Sequence, residues 1–255
     1  MPAGILSQNH MPNKKDETYC HRDERGYNQG FVPSYAMTIR SERRAEKIIN
    51  EFYGSKSDIR VLEIGCGTGE LSHSIAARLP GARITGLDLS GKFIEAASTS
   101  YKLTNLDYTQ GDLLSPGFTG SAKYDYIIGN GILHHLNENI DLALEKLQSF
   151  LKPRGKLVFW EPNLYNPYIF AIFTWPLFRK LARLEPKEMA FTRRFITKKL
   201  SAAQYQNICV QYRDFLLPNT PKVLVSPAIF AGAILERTTM LSWLSQSLFI
   251  SATKP

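Results

Sequence analysis

Short apolar runs and amphipathic stretches alternate through the middle of the chain. Arg60-Val61-Leu62-Glu63-Ile64-Gly65 is an apolar run closed by glycine, the pattern of a buried parallel strand. Residues 83–88, 106–110, 124–129 and 156–160 repeat that pattern, the last after a turn at Pro153-Arg154-Gly155. The intervals carry helical spacing. Residues 34–53 place Ala45, Ile48, Ile49 and Phe52 on one face, and residues 138–151 do the same with Ile140, Leu144, Leu147 and Leu151. Residues 70–79 form a helix stopped by Pro80-Gly81, and Ser90 caps another that runs to about Leu103. This alternation predicts an α/β fold: a doubly wound, Rossmann-like sheet with helices on both faces.

After Glu161-Pro162 the pattern changes. Residues 164–184 are aromatic and apolar, broken by Pro167 and Pro176, and end in basic residues; a polar, basic segment follows to about Ala203. Residues 208–216 and 248–252 read as two further strands, with an apolar helix over 222–245 interrupted by Pro227. The expected organisation is an irregular arm (1–33), a ligand-binding core (34–163), a helical cover over the substrate (164–206), and the last strands of the core with a second helical insertion (207–255). Residues 1–10, ending in His10-Met11, read as a cloning remnant and carry no functional argument.

Composition adds limits. The 255 residues are 44% hydrophobic and 21% charged, near the average for soluble globular chains, which excludes a disordered chain, a collagen or a coiled-coil rod. Cys20, Cys66 and Cys209 are odd in number and far apart, which points to a reducing, cytoplasmic setting. No leader pattern opens the chain, and no apolar run reaches the roughly 20 residues needed to span a bilayer. The net charge of +8 is unevenly placed: residues 164–255 hold 12 Lys and Arg against 4 Asp and Glu, and the remainder balances. Such asymmetry suggests an anionic partner, or simply a solvated basic face.

The sharpest local signal is Val61-Leu62-Glu63-Ile64-Gly65-Cys66-Gly67-Thr68-Gly69, three glycines at alternate positions between strand and helix. A dinucleotide fold prefers Gly-x-Gly-x-x-Gly, which brings a helix N-terminus to a pyrophosphate. The tighter spacing, with Glu63 before it, suits a nucleoside that carries positive charge and no phosphate. Asp88 ends the second strand and can accept both ribose hydroxyls in a charge-assisted pair; the alternative is a cap on the next helix, a role for which Ser90 competes. Leu89 can cover an adenine face. Asp112, in Gly111-Asp112-Leu113, can accept the adenine amino hydrogens or merely form a turn.

With these residues assembled, the chain resembles the class I S-adenosylmethionine-dependent methyltransferases. The matching stretches are Val61–Glu70, Gly86–Ser90, Gly111–Leu113, Tyr124–Leu136 and Phe150–Pro162. The resemblance implies seven strands with only the last antiparallel, and S-adenosyl-L-methionine as cofactor. It implies that Gly65 and Gly67, flanking Cys66 in the loop closed by Gly69, approach the amino acid moiety. It also implies that Asp88 holds the ribose, that Asp112 reads the adenine, and that the Asn130 carbonyl meets the cofactor's ammonium. Arg154 stands where that family commonly has glycine.

His134 and His135 follow the fourth strand at the rim facing the methyl group. Neutral imidazole is a fitting general base; the alternative is that each ring ties the loop to its surroundings. Without nearby carboxylates the pair offers no third metal ligand, so no metal is expected. The exit Gly129-Asn130-Gly131-Ile132 lacks the Asn/Asp-Pro-Pro-Tyr cluster that grips a planar amino group, which argues against a nucleic-acid-modifying enzyme. In the last third, Phe170, Phe173, Trp175 and Phe178 precede Arg179, Lys180 and Arg183. These form a lid over an apolar or lipid-linked acceptor, a patch on anionic lipid, or faces packed on the sheet or across a homodimer.

The expected function is methyl transfer to O, N or C of a small, apolar, in some cases anionic acceptor. The alternatives are a protein or RNA methyltransferase that uses the basic third, a non-catalytic S-adenosylmethionine-binding module, and a nicotinamide dehydrogenase, which the glycine spacing disfavours most.

Overall fold

The computed structural model describes residues 34–54, 57–115, 118, 123–238 and 240–255. The expected arm over 1–33 lies outside the described residues. The chain runs α1 (Tyr35–Ile49), β1 (Arg60–Ile64), α2 (Glu70–Arg78), β2 (Arg83–Asp88), α3 (Gly91–Ser100), β3 (Leu106–Gln110) and β4 (Tyr124–Asn130). A 3-10 turn (Leu133–Asn139) leads into α4 (Ile140–Phe150) and β5 (Leu151–Pro162). Then come α5 (Pro167–Thr174), α6 (Pro176–Leu181), α7 (Arg193–Ala202), β6 (Gln206–Arg213), α8 (Lys222–Leu235) and β7 (Ser247–Thr253).

The seven strands form one sheet in the order β3-β2-β1-β4-β5-β7-β6. β7 is antiparallel to both β5 and β6, and the other described pairings are parallel. The fold class and the antiparallel last strand are as expected.

Alternation along each strand builds two cores, because successive side chains point to opposite faces. Leu62, Ile64, Ile127, Leu157, Phe159, Leu248 and Ile250 pack beneath α4 and α7 through Leu144, Leu147, Ile196 and Leu200. Val61, Ile84, Tyr126, Ile128, Val158, Trp160 and Phe249 pack beneath α1 and α2 through Ile48, Phe52, Leu71 and Ile75. Both faces of the central strands are thus covered, which is why they read as nearly unbroken apolar runs.

Several expectations needed correction. The segment 151–155 belongs to β5 and is not a turn before it. Tyr124 pairs with Leu151 but Tyr126 pairs with Lys156, so extra residues bulge out, with Arg154 at φ +62°. The polar, basic segment is in part the helix α7: its Thr192 side chain caps Phe195 N–H, and Ile196 and Leu200 bury one apolar stripe among the cations. The apolar helix ends at Leu235 rather than 245. The residues after β4 form a 3-10 turn before α4 begins. Among the described residues no helix is long and apolar enough to cross a membrane.

Candidate active site

The strand order reverses between β1 and β4, since β1 leads out to β2 and β3 while β4 leads to β5. Open α/β sheets bind ligands in the crevice beyond the carboxyl ends of strands at such a point. The glycine-rich loop leaves β1 there, and Asn130 ends β4 there.

The loop is held from one strand over. Asp88 Oδ2 accepts the Gly67 N–H (2.8 Å) and Oδ1 accepts the Ser90 N–H (2.9 Å), while Ser90 Oγ caps α3 at Phe93. Two of the glycines are required for different reasons. Gly67 (φ +52°) meets nothing within 4 Å where a Cβ would stand, so bare backbone borders open space. Gly69 (φ +89°) is a packing glycine, because a Cβ would lie 2.5 Å from Tyr108 Oη. Gly65 abuts the Ile132 side chain, and Gly111 abuts Phe118 and Leu87. The Cys66 thiol is buried and presents only backbone at the loop; burial first, then the carboxylates of Glu63 and Asp88, push it well above the usual thiol range. Leu113 is buried, whereas Leu89 is exposed beside the loop. Asp112 is exposed, with Oδ1 accepting the Leu114 N–H (2.8 Å), so its turn-forming role is realised. The open face of Gly67, the adjoining carboxylate and the exposed apolar Leu89 fit a phosphate-free nucleoside.

Glu63 lies behind the loop rather than in it. It is buried and accepts a hydrogen bond from Ser72 of α2, tying strand to helix. Burial pushes its carboxyl up to about 8, against the lowering effect of the Ser72 bond. The folded chain therefore holds this proton through a window where the unfolded chain, ionising near 4.5, has lost it. Stability is greatest below that lower value and falls as pH rises towards 8, by on the order of 5 kcal/mol in all. Urea unfolding at several pH values is expected to show this slope, and Glu63→Gln is expected to flatten it. An unchanged slope in the variant would assign it to other groups.

The two histidines lie in a carboxylate clamp. Glu161, at the end of β5, accepts backbone N–H groups from Ile132 (3.0 Å), Leu133 (2.8 Å) and His134 (3.2 Å), so it caps the 3-10 turn from a distant strand. It also takes His134 Nδ1 at 2.8 Å, while His134 Nε2 lies 3.2 Å from Glu188 Oε1. Burial lowers the tendency of His134 to charge, but the bonds to Glu161 and Glu188 outweigh it and raise the group to about 9. His135 is partly exposed, with Nε2 at 3.6 Å from the same Glu188 oxygen. The third ligating group missing from the sequence reading is therefore present, supplied by Glu188. Sequence reasoning missed both carboxylates; an acid ending an apolar strand, as in Trp160-Glu161-Pro162, was the available signal for the first.

A second feature borders Asn130. The partly buried Arg44 guanidinium of α1 donates to Asn130 Oδ1 (2.6 Å), Asp214 Oδ2 (2.7 Å) and Ser247 Oγ (2.6 Å), and lies 5.0 Å from the Trp160 ring centroid. Burial and neighbouring Arg40 lower its pKa to about 10, opposed by Asp214. Around it, Arg40, Arg43, Lys47, Arg213, Trp160 and Asp214 line a cavity of about 260 Å³. The Trp160 Nε1–H is buried and has no hydrogen-bond partner among the described residues.

In the insertion, Phe173 is buried and meets His134 edge-on at 5.7 Å. Tyr168, Phe170, Trp175, Leu177 and Leu181 stay exposed. Arg179 is not a free surface cation: it donates to the carbonyls of Phe173, Glu185, Pro186 and Glu188. Arg193, Arg194 and Lys198 border a wide surface groove with Tyr165 and Tyr212.

Residues 62–157 match the family described as "Methyltransferase domain". A malonyl-[acyl-carrier protein] O-methyltransferase of Priestia megaterium is 33% identical over 117 residues, covering 45% of this chain and 42% of that protein. A trans-aconitate 2-methyltransferase of Mycobacterium tuberculosis is 28% identical over 192 residues, covering 75% and 67%. A solved S-adenosylmethionine-dependent methyltransferase from Archaeoglobus fulgidus shares the fold, with a TM-score of 0.60 at 15% identity over 93% of this chain and 99% of that one. The chain spans less than half the length of the first of these relatives.

Proposed function

We propose, from the premise that this chain belongs to the class I S-adenosylmethionine-dependent methyltransferases, that it methylates an oxygen of a small acceptor bearing an acidic group. When bound, S-adenosyl-L-methionine supplies a methyl group on a sulfonium, already activated for in-line displacement. The chain's own part is to hold the two partners in line and to exclude water, which lowers a barrier by as much as roughly 7–11 kcal/mol. Asp88 would hold the ribose, the backbone at Gly65 and Gly67 the amino acid moiety, Leu89 and Asp112 the adenine, and the Asn130 carbonyl the ammonium.

The observation that carries the acidic acceptor is the basic cavity beside Asn130, where Arg40, Arg43, Lys47 and Arg213 converge next to Trp160. Guanidinium and ammonium groups recognise carboxylate oxygens through charge-assisted hydrogen bonds, so such a lining suits an anionic acceptor. The names of the relatives support the same class, since both malonyl and aconitate groups carry carboxylates. A carboxylate is already an anion at neutral pH and needs no general base. His134, with both ring nitrogens engaged, is then a positioning residue, and His135 is the ring nearer solvent.

The test is methyl transfer from labelled S-adenosylmethionine to a panel of small di- and tricarboxylic acids and their neutral amides. Base-labile methyl esters on the acids alone are the expected product. Equal labelling of the amides, or labelling only of RNA or protein, would reject the reading. Arg43→Ala, on the rim of the cavity, is expected to raise KM for the acid roughly tenfold with cofactor affinity unchanged; an unchanged KM would place the acceptor elsewhere.

A further inference from the structure

We propose that His134, His135 and Glu188 form a binding site for a divalent transition metal ion. The three groups each offer one ligand atom, and these atoms lie within 4.8 Å of one another. Within the cluster, His134 Nε2 lies 3.2 Å from Glu188 Oε1 and His135 Nε2 lies 3.6 Å from that same oxygen. Ligand atoms about 2.0–2.2 Å from a tetrahedral zinc stand about 3.3 Å apart, so a small rotation of side chains admits the ion.

The surroundings are those of a built site. Glu161 takes His134 at Nδ1, which directs Nε2 towards the cluster; a carboxylate behind a ligating histidine fixes its tautomer and raises its basicity. Glu161 is itself held by three backbone N–H groups, so the imidazole cannot swing away. On the opposite side, the Glu188 Oε2 accepts the Glu185 N–H (2.9 Å), leaving Oε1 aimed at the two rings. Arg179, spent on four carbonyls, fastens the loop that delivers Glu188. Phe173 closes the dry side of His134.

The donor set selects the ion. Two imidazoles and one carboxylate suit Zn²⁺, Fe²⁺, Mn²⁺ or Co²⁺, whereas Mg²⁺ and Ca²⁺ prefer oxygen alone. The carboxylates of Glu161 and Glu188 offset the ion's double charge. Three protein ligands leave a coordination position, and the cluster follows the carboxyl end of β4, where an oxygen of a bound small molecule would reach it. The inference stands on this geometry and does not depend on the methyl-transfer reading.

The experiment is titration of the chelator-stripped full chain with Co²⁺, read by visible d–d absorption, together with the shift in Tm on adding Zn²⁺. One equivalent of Co²⁺ giving intense low-symmetry bands, and a Tm raised by Zn²⁺ but not by Mg²⁺, are the expected results. Glu188→Gln and the partly exposed His135→Ala are expected to weaken Co²⁺ binding roughly tenfold or more, with His135→Ala keeping the native fold by circular dichroism. A spectrum no different from aqueous Co²⁺, or equal binding by the parent and His135→Ala chains, would overturn the site. Neither readout requires turnover, so failure here is distinct from failure of the carboxylate assay.

Discussion

Asp88→Ala is expected to weaken binding of S-adenosylhomocysteine on the order of a hundredfold, about 3 kcal/mol. Two effects add. On the proposed reading the ribose would lose an ionised acceptor, and the Gly67 and Ser90 N–H groups lose theirs, so the loop is no longer pinned to β2. Asp88→Asn separates the effects, because its carboxamide oxygen keeps one N–H bond while the charge is gone; an intermediate loss is expected. Calorimetric titration checks both variants. Affinity unchanged in Asp88→Ala would remove Asp88 from the site and with it the nucleoside assignment of the crevice.

Glu161→Ala is expected to destabilise the chain by roughly 3–5 kcal/mol, the usual cost of breaking a buried charged pair from one side. Its buried carboxylate serves three backbone N–H groups and the His134 ring. Without it the 3-10 turn has no cap, and the imidazole keeps only Glu188 of the two carboxylates. Glu161→Gln retains one acceptor oxygen and is expected to lose about half as much. Urea unfolding measures both; a loss under about 1 kcal/mol would mean that other contacts hold the turn.

These two acids differ in how they could be found. Asp88 was legible because it ends a strand next to a glycine-rich loop, at a distance set by one strand-helix-strand unit. Glu161 sits in an equally readable strand, but its partner is 27 residues back along the chain, and Glu188 lies 54 residues beyond His134 in an irregular segment. Linear spacing does not carry that meeting. Read without these acids, the histidine pair looks like a candidate base. With them in place, His134 is a buried, doubly engaged ring.

Arg44 makes the same point at longer range. Within α1 it is one of several cations on a helix whose apolar stripe is Ala45, Ile48 and Ile49, and nothing local separates it from Arg43. Asp214, 170 residues away, and Ser247 at the start of β7 draw it inward and leave Arg43 at the cavity rim. The helix α7 was missed for a related reason. Its cations dominate its composition, and only contact with the sheet shows that Ile196 and Leu200 form a buried stripe.

By itself the sequence determined the strand-helix alternation, the seven-stranded sheet, the glycine loop and the acid one strand over. Each is a local property, set by side-chain period, backbone freedom and chain direction within a few dozen residues. Only the tertiary structure decided which polar groups lose their water and which meet. The carboxylates around the two histidines and the arginines around Trp160 come from distant segments, and their chemistry arises from burial and closeness, which the order of residues along the chain does not encode.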